Sequence, residues 1–161
     1  MFDFDVVVKS VHSFVVNLSV AFIALYFAMI KFRVEKWWDK EFQCCMEIME
    51  LLNGMIKISD EVIQFNNGEG SMVKAELKKL FVDFCNYKMR LGGVATIGRL
   101  LLTEHALASV MKYDAQIYCF DIGRASANEI TSFREDAQNF LDLFSQLAKG
   151  DLKKNSFLRH F

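Results

Sequence analysis

The chain has 161 residues, 53% of them apolar, with 16 Phe, 8 Gly and no Pro. That is too hydrophobic for a disordered chain and too poor in turn residues for a β-sandwich or a βαβ fold. It predicts an all-α protein of one domain, or of one domain plus an anchor. Nineteen Lys and Arg against 20 Asp and Glu leave a net charge of −1, without the basic excess of a nucleic-acid-binding domain.

The first predicted element is a membrane helix. Between Lys9 and Lys31 stand 21 residues without a formal charge, SVHSFVVNLSVAFIALYFAMI. As a helix they extend about 31 Å, close to the hydrocarbon thickness of a bilayer. KFRVEKWWDK follows at once and supplies interfacial anchors in Lys31, Arg33, Trp37 and Trp38. Lys31, Arg33, Lys36 and Lys40 follow the span and only Lys9 precedes it, so the positive-inside rule puts the larger C-terminal part in the cytosol. A cleaved signal peptide fits poorly, because MFDFD is acidic and no small-residue cleavage site follows the apolar run. A buried helix of a soluble protein is the other alternative, since His12 and Asn17 interrupt the span. The expected organisation is an anchor over residues 1–33 and a cytosolic bundle over 34–161.

Within the span the small and polar residues share one face. Ser10, Ser13, Asn17, Ala21, Ala24 and Ala28 recur at steps of three and four. In lipid such a stripe lets helices approach closely, and Asn or Ser can hydrogen-bond across the contact. A lone anchor has no use for it, so a homo-oligomer is expected. A larger ring would turn Ser and Asn toward a water-filled lumen.

Beyond the anchor, Trp38, Phe42, Cys45, Met49, Leu52, Ile56 and Ile63 repeat at alternating steps of four and three, with Ser59 in the gap. This predicts an amphipathic helix over about 34–65, continuous with the membrane helix. Asn66 to Gly70 end it. A second helix, with Ser71 as N-cap, uses Val73, Leu77, Leu80, Phe84, Tyr87 and Leu91, and its pattern breaks near Gly98 to Leu102. Thr103 caps a third, shorter helix through about Phe120. For the fourth, Ser126 and Glu129 form a capping box. Ile130, Phe133, Ala137, Phe140, Phe144 and Leu147 carry its apolar face, and Gly150 closes it. Short loops between the cytosolic helices suggest an antiparallel bundle. The basic tail of Lys149, Lys153, Lys154 and Arg159 reads as a solvated end.

Chemistry is sparse. Cys44, Cys45, Cys85 and Cys119 form no CxxC and have no His at ligand spacing, so no metal or other cofactor is expected and all four read as core residues of a reducing compartment. Phosphate-loop, nucleophile-elbow and zinc-protease motifs are absent. The one candidate catalytic pair is Arg99 and His105, separated by five residues. The spacing resembles the Arg–His motif of HEPN ribonucleases, helical bundles in which the pair acts on RNA across a dimer interface. There His would move protons and Arg would stabilise the phosphorane charge. The alternative is a solvent-facing His in the first turn of a helix, so an enzyme is not the favoured reading.

The runs KFRVEKWWDKEF and CCMEIMELLNGMIKISDEV, with ATIGRLLLTEHAL and LAKGDL, resemble small bacterial proteins that join one membrane helix to a helical bundle. A number of these sit beside anti-phage systems. Anchor, bundle and degenerate Arg–His motif together resemble the membrane accessory protein of type VI-B CRISPR systems. That resemblance implies an inner-membrane location, a pore that strengthens antiviral defence, and an RNA-guided RNase as partner. It also leaves a membrane-tethered ribonuclease and a non-catalytic adaptor as alternatives.

Overall fold

The computed structural model describes residues 4–69 and 73–157, with side chains described over 12–69 and 73–150. The described residues form four helices and no strand: α1 (Phe4–Asn66), α2 (Lys74–Gly98), α3 (Glu104–Ile117) and α4 (Ala127–Phe157). The all-α expectation is met. Contacts within the chain define two units, Met1–Trp38 and Asp39–Phe161.

In the first unit every described side chain from His12 to Val34 is exposed. Phe14, Phe22 and Phe27 keep 63–67% of their surface open, and Leu18, Ile23 and Leu25 keep 47–58%. The most apolar stretch of α1 has a mean hydropathy of 2.1 and no buried residue. Among the described residues there is therefore one helix long and apolar enough to cross a membrane.

The second unit is built around one apolar core drawn from all four helices. Its part of α1 carries two apolar stripes, not the single one read from spacing. Cys45, Leu52, Ile56 and Ser59 are buried as expected, but so are Cys44, Ile48, Leu51, Met55, Ile58 and Val62. At 3.6 residues per turn the buried positions cover about 160° of the helix, wider than the stripe of an ordinary surface helix. The reason is packing on two sides. Glu47, beside the second stripe, pairs with Arg90 of α2 at 2.8 Å, and Asp60, beside the first, pairs with Arg134 of α4 at 2.9 Å. Phe42, placed on the core face by its spacing, is 40% exposed.

Local chemistry sets the helix ends. α1 closes in a Schellman motif: Glu69 N–H donates to the Gln64 carbonyl and Gly68 N–H to that of Phe65, each at 3.1 Å. Gly68 takes a φ of 75°, which a residue with a Cβ adopts only at a cost. α2 begins later than expected. Val73 is its N-cap and donates its N–H to the Glu76 carboxylate at 3.0 Å, leaving the Val73 side chain 61% exposed. Ser71, the expected cap, lies outside the described residues.

α3 starts at the expected cap, with the Thr103 hydroxyl accepting from Ala106 N–H at 3.4 Å. The Ser126 and Glu129 capping box forms: Ser126 N–H and Oγ donate to Glu129 Oε2 at 2.6 and 2.7 Å, and Glu129 N–H donates to Ser126 Oγ at 3.4 Å. Gly150 does not end α4, which continues to Phe157. A single helical Gly costs about 1 kcal/mol, less than a stop requires. The basic tail beyond Lys149 lies outside the described side chains.

Aromatic side chains knit the core. Phe84 of α2 meets Phe133 of α4 edge-on at 5.2 Å, and Phe133 stacks on Phe120 at 4.4 Å. The segment holding Phe120 is pinned by Lys88, whose Nζ donates to the carbonyls of Tyr118 and Phe120 at 3.1 and 2.9 Å.

Candidate functional site

Ser13, Asn17, Ala21, Ala24 and Ala28 are all exposed on α1; the Ser10 side chain lies outside the described residues. Helical geometry gathers the six positions into an arc of about 80°, with the large apolar residues around the remainder. The polar groups differ in how they are satisfied. Ser19, off the stripe, donates its hydroxyl back to the Val15 carbonyl at 2.8 Å and needs no neighbour. Among the described residues Asn17 finds no hydrogen-bond partner. An amide in that state is costly in hydrocarbon and gains most by meeting a second helix. Serine and alanine beside it leave room for close approach.

Arg99 and His105 lie either side of one turn. Arg99 is the C-cap of α2, Thr103 is the N-cap of α3, and His105 occupies the first turn of α3. Both side chains are exposed. Within one chain the pair is thus a solvated cation and a solvated imidazole, with nothing to exclude water or fix their mutual geometry. The electrostatic advantage of a preorganised site is absent from that arrangement.

One concavity was missed in the sequence. α3 and α4 border an open groove of about 1080 Å³ floored by aromatic rings. Tyr113 stacks on Phe140 with centroids 4.2 Å apart and planes 4° from parallel. Its hydroxyl is buried with no hydrogen-bond partner among the described residues. Burial, and secondarily the Asp136 carboxylate, push the Tyr113 phenol far above its usual range. The groove is also lined by Lys112 and Arg124 and by Asp121, Glu129 and Asp136, with Arg124 held to Asp121 at 3.4 Å. Spacing could not reveal this groove, because two helices make it.

The cysteines divide. Cys44 and Cys45 are buried, whereas Cys85 and Cys119 are exposed and do not belong to the core. Burial, followed by the Glu47 and Glu41 carboxylates, raises the Cys44 thiol and keeps it protonated. Among the described residues no three His, Cys, Asp or Glu side chains are grouped to hold a metal ion. No protein-family model, curated protein or solved structure matches the chain.

Proposed function

We propose that this is a single-pass inner-membrane protein whose copies associate through the Ser10–Ala28 face and permeabilise the bilayer. The supporting observation is an apolar helix exposed on every side that carries a narrow small-polar stripe, with His12 and Ser19 as the polar residues on the opposite face. Eleven Val, Leu, Ile and Phe residues between Ser10 and Ile30 favour insertion by about 0.3–0.6 kcal/mol each. In water the same surface would be a standing cost. Lys31, Arg33, Lys36 and Lys40 orient the larger unit toward the cytosol.

In this reading the second unit is an antiparallel bundle that holds copies together on the cytosolic side. With the sequence resemblance to the type VI-B accessory proteins, the permeabilising step proposed here would belong to anti-phage defence, beside an RNA-guided RNase. The exposed Arg99 and His105 lend the ribonuclease alternative no support. The test is ion flux from proteoliposomes, preceded by the native mass of the detergent-extracted protein. A defined ring, and flux abolished by Asn17→Leu in a protein that still folds and inserts, is the expected result. A monomer, or flux unchanged by Asn17→Leu, overturns the pore.

A further inference from the structure

The segment just after the span is asymmetric in a way that its net charge hides. Projected down α1, Phe32, Lys36, Arg33 and Trp37 fall in that order within an arc of about 140°. All four are exposed, Phe32 by 61% and Trp37 by 53%. Two cations therefore stand side by side between two aromatic rings. The Lys36 ammonium lies 5.7 Å from the Phe32 ring centroid, close enough for the ring to hold it. Of the two acids in this segment, Glu35 is on another face, where it continues the Ala21, Ala24, Ala28 line, as does Lys31, and Asp39 projects just outside the Phe32 edge of the arc, about 60° from Lys36 and 120° from Arg33. The Arg33 and Lys36 face is turned about 110° from that line, so packing copies through the stripe leaves it toward lipid.

We infer that Arg33 and Lys36, framed by Phe32 and Trp37, form a binding site for the phosphate of an anionic phospholipid headgroup. The inference rests on the membrane reading and gives it a lipid preference. Arg33 offers a planar fork of N–H donors that fits two phosphate oxygens, and Lys36 adds a mobile point charge one turn on. Aromatic rings at that depth settle among headgroups and fix the height of the cations. A headgroup with its own ammonium would meet two fixed positive charges. One without it meets none of that repulsion, and each base adds roughly fivefold to its retention at low salt.

The experiment incorporates the full chain into vesicles of phosphatidylcholine alone, and of phosphatidylcholine mixed with phosphatidylglycerol. Flotation is scored first, followed by the ratio of the two lipids that stay bound after mild detergent extraction. The wild type should float with both compositions and retain phosphatidylglycerol with an enrichment of tenfold or more. R33Q/K36Q should float equally well with the enrichment near unity. R33K/K36R should keep the enrichment, and so should K78Q/K79Q, which removes the same charge from α2.

Enrichment that survives R33Q/K36Q overturns the site. So does an R33Q/K36Q protein that no longer floats, because the pair would then serve insertion and not headgroup selection. A wild type that fails to float on phosphatidylcholine alone removes the membrane reading itself, and the lipid site with it.

Discussion

Gly54 offers a sharp test of how α1 and α2 pack. A Cβ at this position would lie 2.8 Å from both Cε2 and Cζ of Tyr87, and 3.1 Å from Cδ2. Those distances are well inside van der Waals contact, so the ring must move. In an open helix Gly→Ala stabilises by about 1 kcal/mol. Displacing a half-buried ring costs about 1–3 kcal/mol. Gly54→Ala should therefore end between neutral and about 2 kcal/mol destabilised. Gly93 supplies the contrast, because its Cβ would meet nothing within 4 Å. Gly93→Ala should stabilise by about 1 kcal/mol, or about 2–4 °C in Tm for a chain of this size. The assay is thermal unfolding of the detergent-solubilised full chain by circular dichroism, in wild-type and Tyr87→Ala backgrounds. With the ring gone, Gly54→Ala should recover the gain seen at Gly93, a coupling of about 1 kcal/mol or more. Gly93→Ala should be the same in both backgrounds. If Gly54→Ala stabilises the wild type as much as Gly93→Ala does, Tyr87 does not sit over Gly54 and the placement of α2 is wrong.

Thiol labelling of the folded protein should find Cys85 and Cys119 within minutes and leave Cys44 and Cys45 unmodified until unfolding, since only the first two are exposed; rapid Cys44 alkylation would contradict its burial. The Ser126 hydrogen bonds depress Glu129 below the usual carboxylate range. Its contribution is complete above the unfolded pKa and is lost as pH falls through the folded value, so the protection of amides at the start of α4, relative to their intrinsic exchange rates at each pH, should fall on acidification and Glu129→Gln should flatten that response. Tyr113→Phe removes a buried hydroxyl without a partner and should leave Tm unchanged or raise it by a degree or more. A clear fall in Tm would mean that this hydroxyl is hydrogen-bonded in solution.

The features legible in the sequence are those decided within a few residues. An uncharged run shows its length and greasiness without any partner, and the Ser126–Glu129 box closes on itself one turn away. Thr103 capped α3 for the same reason. The stripe from Ser10 to Ala28 could be read from spacing because it is a property of one helix, though what meets it is not. Other features depended on surfaces brought together from distant parts of the chain. The second buried stripe of α1, through Ile48, Leu51, Met55 and Val62, exists because a second helix covers it. In sequence those residues could as well have faced solvent. Cys85 and Cys119 read as small hydrophobes, yet no element packs over them. Gly54 looked like an ordinary helical glycine until the Tyr87 ring, 33 positions on, was placed against it. The groove between α3 and α4 and the buried Tyr113 hydroxyl appear in neither helix alone. Periodicity determines which residues share a face, but only packing determines what covers that face, because burial is a property of pairs of surfaces.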